Sequence, residues 1–410
     1  ARAAAPPPAA RRPRPGDAVI RPDEAIARIL EHVTRLEDEE VDVSPALAGR
    51  VLTADDAAAV SLPPFSTSAM DGYAVRAAEL GDGPVPIAFR LAAGDPPQPL
   101  PVGAAAGIAT GAPMPPGADA VVPVEDAEEI DGALRAGRPA DGAHIRLAGG
   151  DVESGRVVAQ AGRVLTPALL AAVAAVGAAR VRVSRRPRVA AIATGSELVR
   201  AGNPLGPGQI YESNLTSIVA QSARAGAEVV AAAIVADDRP ATEAAFSAAL
   251  SADVVVSSGG VSVGPHDHVK GALDALGVRE VFWRVAHKPG KPLWFGVAPT
   301  GALVFGVPGN PVSSLVCFEL FVRPALRALQ GAPEEPRPVA RLAQPITRLA
   351  TRDHAVRCRL LPGADGMELD QAGAQDSHLI VHASGADAVA LIGAGTGEVP
   401  AGTLVEYLPL

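Results

Sequence analysis

With 410 residues the chain is too long for one ordinary hydrophobic core and sufficient for about two to four domains. Hydrophobic residues make up 48% and aromatics only 3%, so the cores must be built from Ala, Val and Leu, and the 42 glycines and 39 prolines, spread along the chain, imply many tight turns. A net charge of −9 excludes a general nucleic-acid binder, which needs a basic face. Two distant cysteines, Cys317 and Cys358, exclude a disulfide framework and fit a reducing cytoplasm.

Residues 1–17 carry Pro, Ala and Arg without periodicity and read as a disordered tail. Arg11-Arg12 is no export signal, because no apolar segment follows. In Asp23 to Val33, apolar residues Ile26, Ile29, Leu30 and Val33 mark one face of a helix, and a second short helix follows Ser44-Pro45. From Ser61 to Glu125 short apolar segments are cut by Gly and Pro, the texture of a small β-rich domain. Pro167 to Ala179 falls short of the roughly 20 residues a bilayer requires and reads as a buried helix, so no membrane span is expected.

Arg185-Arg186-Pro187 marks a boundary, after which strands and helices alternate. Strands are expected at Val189 to Ala193, Val229 to Val235, Val254 to Val256 and Leu303 to Val307. Helices are expected at Asn214 to Ala225, Arg239 to Leu250 with Asp238 as cap, Val269 to Leu276, and Pro311 to Leu329 with Asn310 as cap. Such alternation implies a doubly wound, mainly parallel sheet. From Pro336 the helical period vanishes, and Val339 to Ala343, Ala355 to Leu361, Ala386 to Ile392 and Leu404 to Leu408 read as strands of an all-β C-terminal domain.

In an open parallel sheet, ligands bind at the carboxyl ends of the strands. Those ends read Thr194-Gly195-Ser196-Glu197, Asp237-Asp238, Ser257-Ser258-Gly259-Gly260 and Pro308-Gly309-Asn310-Pro311. Asp238 is explained as a helix cap. Three acids, Glu197, Asp237 and Asp267, converge on the same edge and supply the hard oxygen ligands that Mg²⁺ requires. Gly259-Gly260 would let backbone approach an anion closely, although an ordinary turn also reads this way. In HKPGKP, Lys288 and Lys291 lie between rigid prolines; alone they would be solvated charges, and beside the strand ends they complement a phosphorylated ligand. Competing motifs fail on detail. Pro265 replaces the lysine of a Walker loop, and GVSVG around Ser262 is separated from its strand, against a nucleophile elbow. His266 and His268 read as loop residues rather than metal ligands.

Five segments in order, SAMDGYA at 68–74, TGAPMPPGADAVV at 110–122, SSGGVSVG at 257–264, KPGKP at 288–292 and PGNPVS at 308–313, closely resemble the molybdopterin molybdenumtransferase family, to which the C-terminal part of gephyrin is related. The resemblance implies a multidomain chain: a segmented N-terminal helical domain (18–49 and 146–184), an inserted β-rich domain (50–145), a molybdopterin-binding α/β domain (185–333) and a C-terminal β-barrel-like domain (336–410). It implies a cytoplasmic homodimer that inserts molybdate into adenylated molybdopterin with Mg²⁺-dependent release of AMP, working beside the molybdopterin adenylyltransferase and apo molybdoenzymes. By motif, Glu197, Asp237 and Asp267 resemble the metal and nucleotide side. Ser257, Ser258, Gly259, Gly260, Ser262, Pro308, Gly309, Asn310, Pro311 and Ser377 resemble substrate-binding positions, and Lys288 and Lys291 catalytic cations. Asp71, Thr110, Arg146 and Asp151 resemble catalytic residues that complete the cleft from the partner subunit. The chain departs from the family pattern at Ser196, where an acid is common, at Arg284, where some relatives have Lys, and at Asp376 before Ser377, where Gly is frequent. Two other readings are a molybdopterin adenylyltransferase, which needs only the α/β domain and leaves 50–150 and 336–410 unused, and a non-catalytic pterin-binding scaffold.

Overall fold

The computed structural model describes residues 19–81, 83–260 and 268–410, so the expectation for the tail at 1–17 lies outside the described residues. The chain divides into two compact units, one formed by the residues up to Asp38 with Ser184–Leu410, the other by Glu39–Val183.

The first unit is organised by a six-stranded sheet in the order Glu228–Val235, Arg188–Thr194, Val254–Ser258, Leu303–Val307, Trp294–Val297, Arg279–Trp283. The first four strands run parallel, and the last two form an antiparallel edge. Successive side chains alternate across the sheet, so Val189, Ala191, Val254 and Val256 enter one core while Ala190, Ile192 and Val255 enter the other. Both faces are apolar because helices cover both, which is why these strands read as continuous Val and Ala runs. The chain leaves the Arg188 strand for the Glu228 strand on one side, then crosses to the Val254 strand on the other. This reversal opens a crevice between the ends of the Arg188 and Val254 strands.

Helices occupy Pro22–Leu30, Asn214–Arg224, Arg239–Ala249 and Val269–Ala275. The Asp238 side chain caps the third of these by accepting the Ala241 N–H at 2.9 Å, worth about 1 kcal/mol. The expected helix from Pro311 to Leu329 is not one uninterrupted α-helix. α-helical Pro311–Cys317 and Arg323–Leu329 flank a π-helical turn, Phe318–Val322, which carries buried Glu319 to Gln221 Nε2 at 2.7 Å and to Arg224. The edge strands Arg279–Trp283 and Trp294–Val297 were not foreseen from the sequence.

C-terminally, strands Asp353–Gly363, Gly366–Gln371, Val339–Leu342, Leu404–Pro409 and Ala388–Ile392 pair in that order, and the last pairs again with the first. The result is a closed five-stranded barrel filled by Leu342, Val356, Cys358, Leu369 and Ala390. Closure removes the exposed edges that an open sheet of this size would present.

In the second unit a six-stranded sheet has the order Ala120–Pro123, Gly72–Val75, Ala105–Ile108, Val85–Leu91, Ala133–Ala136, Ala127–Ile130. The helix Pro167–Ala175 is capped by Thr166, whose hydroxyl accepts the Leu169 N–H at 3.2 Å. Contrary to the expectation of a buried helix, only Leu170 and Val173 are buried within it. Its hydrophobic run is largely alanine, whose small side chain leaves little apolar surface to hide. The second helix expected after Ser44-Pro45 is a single 3-10 turn, Pro45–Leu47. No helix among the described residues is long and apolar enough to cross a membrane.

Candidate functional site

At the crevice of the first unit lies an open cleft of about 760 Å³. Its lining includes Thr194, Gly195 and Glu197 from the end of the first strand, Asp237 from the second, Ser258, Gly259 and Gly260 from the third, and Pro308, Gly309, Asn310 and Pro311 from the fourth. These expected residues are therefore brought together. Ser257 is fully buried one residue below, its hydroxyl 3.4 Å from the Phe305 carbonyl. Ser262 and Asp267 lie outside the described residues.

The glycine turn is shaped by sterics. Gly259 has φ +89° and Gly260 φ +63°, and a Cβ on Gly259 would stand 2.7 Å from the Thr194 carbonyl oxygen. A Cβ on Gly260 would stand 2.3 Å from Val269 Cγ2. Only glycine satisfies both the conformation and the clearance. The Gly259 N–H donates to the Val307 carbonyl at 3.2 Å, so this residue offers a ligand close approach rather than its amide.

The acids are held by local hydrogen bonds. One oxygen of Asp237, Oδ2, accepts the Ser196 N–H at 3.1 Å, and the Ser196 hydroxyl accepts the Asp237 N–H at 2.9 Å. Serine at 196 thus works as a clamp that orients Asp237, with Oδ1 outside this clamp. The Glu197 carboxylate folds back over Gly195, where a Cβ would lie 2.6 Å from Oε2. Among the described residues no group of three His, Cys, Asp or Glu side chains could hold a metal by itself. Mg²⁺ usually keeps several waters and takes one or two carboxylates plus substrate phosphates, a demand that Glu197 and Asp237 fit.

Several cleft residues were missed from the sequence. Asn214 donates at 2.7 Å both to Ser258 Oγ and to the Gly309 carbonyl, tying two strand ends together. Tyr211, Glu212 and His378 also line the cleft. The run Ile210 to Asn214, IYESN, held the signal as a polar segment entering a helix at a strand end, but no periodicity drew it out. Asn310 occupies the expected cap position without capping; its Nδ2 donates instead to Ser377 Oγ at 2.9 Å. Ser377 is fixed from its other side too, its carbonyl accepting the Val312 N–H at 3.0 Å, while buried Arg357 donates to the Ala374 and Asp376 carbonyls just before it. His378 is carried to the cleft by this anchored loop.

Lys288 is half-buried on a two-residue strand that pairs in parallel with Asp353–His354, and Lys291 is exposed beyond it. Pro292 lines the cleft, but neither lysine is among its lining residues. Beside Lys288, His287 is 2% exposed; its Nδ1 donates to the Pro289 carbonyl at 2.6 Å, and burial lowers its pKa to about 4.

In the second unit Asp71 and Thr110 are brought together. The Thr110 N–H donates to Asp71 Oδ1 at 2.6 Å, and hydrogen bonds from the Thr110 backbone and side chain hold this carboxyl below the usual carboxylate range. Next to it Gly72 is required by close packing, since a Cβ there would lie 2.0 Å from the Val122 carbonyl oxygen. Asp71 opens onto a pocket of about 350 Å³ that also includes Arg90, itself paired with Glu129 at 2.6 Å. Arg146 is exposed on a short strand against Thr67–Ser68, and Asp151 is exposed with its N–H donating to the Leu62 carbonyl at 3.0 Å. Neither of the two lines the Asp71 pocket.

Three family profiles cover the chain: MoeA N-terminal region (domain I and II) over residues 20–177, probable molybdopterin binding domain over 190–328, and MoeA C-terminal region (domain IV) over 339–410. The chain is 35% identical to the molybdopterin molybdenumtransferase of Haemophilus influenzae, across 94% of this chain and 98% of that protein. It is 43% identical to molybdopterin molybdenumtransferase 2 of Mycobacterium tuberculosis, across 71% of this chain and 75% of that protein. A solved molybdopterin biosynthesis moeA protein from Pyrococcus horikoshii superposes with a TM-score of 0.76 at 32% identity, covering 96% of this chain and 99% of that one. The chain belongs to the MoeA family, as do its relatives named molybdopterin molybdenumtransferase in Haemophilus influenzae and Mycobacterium tuberculosis.

Proposed function

We propose that the strand-end cleft binds adenylated molybdopterin and molybdate and transfers the metal to the pterin dithiolene as AMP leaves. The observation that supports this reading most is the meeting of Glu197 and a clamped Asp237 with the glycine turn at the reversal point of the sheet. Glu197 and Asp237 would hold Mg²⁺, which when bound supplies positive charge at the phosphoanhydride. The cleft residues have separate tasks. Gly259 and Gly260 admit the phosphates to the strand ends, Asn214 keeps the Ser258 and Gly309 edges at fixed separation, and Ser377 with Asn310 closes the fourth strand end. Lys288 and Lys291 lie close in sequence to the cleft residue Pro292, though outside the lining, and in this reading they neutralise the anions as they enter.

The proposed active form is a cytoplasmic homodimer in which Asp71, Thr110, Arg146 and Asp151 of a second copy complete each cleft, as the family resemblance implies. The two buried free thiols, Cys317 and Cys358, agree with a reducing compartment. The apo molybdoenzymes that receive the cofactor, and the adenylyltransferase that supplies the substrate, are its expected partners.

The test is molybdate-dependent AMP release from adenylated molybdopterin. Asp237→Ala is expected to slow it about 100-fold or more, the scale on which electrostatic groups act in such sites. Unchanged turnover in that variant would remove the carboxylates from the mechanism.

A further inference from the structure

We infer that the ring of Tyr211 is the seat on which a flat heteroaromatic part of the substrate stacks, an inference that rests on the function proposed above. Tyr211 lines the cleft yet is 48% exposed, and neighbouring Ile210, also in the lining, is 54% exposed. The chain is only 3% aromatic, and its other tyrosines are used elsewhere: Tyr73 is buried and bonded to Glu129, and Tyr407 packs on the barrel core. Tyr211 is the only phenol among the described cleft residues, and no core requires it.

Its ring is held, not loose. The segment Ile210–Tyr211 pairs in parallel with Leu198–Val199, the Ile210 N–H donating to the Glu197 carbonyl and the Glu212 N–H to the Val199 carbonyl, both at 2.9 Å. The Tyr211 hydroxyl donates to the Asn203 carbonyl at 3.0 Å, which fixes the ring about its polar end. The platform therefore stands one short strand away from Glu197.

The charge of the cleft gives this platform a purpose. Glu197, Glu212 and Asp237 make the floor acidic, so a polyanionic ligand meets repulsion there before any cation is in place. Stacking on an aromatic face does not depend on ligand charge and holds a base in any ionic state. Two rings of the substrate have this chemistry, the purine of the adenylate and the pterin.

The experiment measures binding of AMP and, separately, of non-adenylated molybdopterin to the full chain and to the Tyr211→Leu and Tyr211→Phe variants, with thermal unfolding to confirm folding. For whichever ligand carries the stacked ring, Tyr211→Leu is expected to weaken binding about tenfold, Tyr211→Phe to stay within about twofold, and the other ligand to be unaffected. Wild-type affinity of Tyr211→Leu for both ligands, or equal losses in the Phe and Leu variants, would overturn the stacking role. So would failure of both ligands to bind the wild type. Molybdate-dependent AMP release by the wild type is scored in parallel, so that loss of the platform is distinguished from loss of the transferase reading.

Discussion

At the scale of single residues, the site depends on a few positions where one side chain alone fits. Gly259 sits at φ +89° with no room for a Cβ, and moving an L residue into that region costs about 1–2 kcal/mol before any clash is counted. Gly259→Ala is expected to lower stability by at least that much in urea unfolding and to weaken AMP binding; wild-type values for both would show that the turn has slack. His287 makes a second residue-scale prediction. Its Nδ1 carries the proton donated to Pro289, Nε2 finds no partner among the described residues, and burial depresses the pKa to about 4. The unfolded chain binds a proton near pH 6.5 that the folded chain refuses, so the stabilisation is complete above pH 6.5 and is lost as pH falls through 4, about 3 kcal/mol in all. His287→Phe is expected to flatten that part of the stability profile, and an identical slope in the variant would assign the acid sensitivity to other groups. Glu197, Asp237 and the glycines were readable because strand ends in a parallel sheet converge on one edge. His378 was not, because only the Arg357-anchored loop carries it there.

At the scale of elements, the cleft is shaped by cross-ties as much as by strands. Asn214 holds two strand ends with two 2.7 Å hydrogen bonds, and removing it leaves a buried hydroxyl and a carbonyl short of a donor. Asn214→Ala is expected to cost about 1–3 kcal/mol and to raise KM for adenylated molybdopterin more than it lowers kcat. A fall in kcat alone would place Asn214 in the chemical step instead. Periodicity exposed the central parallel strands because they are buried on both faces and rich in valine. It failed at Trp294–Val297, which contains Gly296, and at Gly366–Gln371, whose sequence GMELDQ reads as a turn. Both strands are specified by their neighbours in the sheet, not by local propensity. The π-helical turn at Phe318–Val322 was likewise invisible, since the partners of its buried Glu319, Gln221 and Arg224, come from a different helix far away in sequence.

For the whole molecule, the order of elements alone gave a doubly wound sheet followed by an all-β region, while closure of the barrel rests on one pairing between Ala388–Ile392 and Asp353–Gly363 that no local pattern announces. The proposed dimer has its own test. Mixed subunits carrying Asp71→Ala and Asp237→Ala are expected to recover part of the activity that each variant lacks, whereas inactivity of the mixture would show that one copy supplies both carboxylates. The central claim, molybdenum transfer by this chain, is tested most directly by incubating it with adenylated molybdopterin, Mg²⁺ and molybdate and assaying activation of an apo molybdoenzyme. The account predicts activation that requires molybdate and is accompanied by AMP release. Consumption of the adenylate without activation, or activation that is indifferent to molybdate, would contradict it.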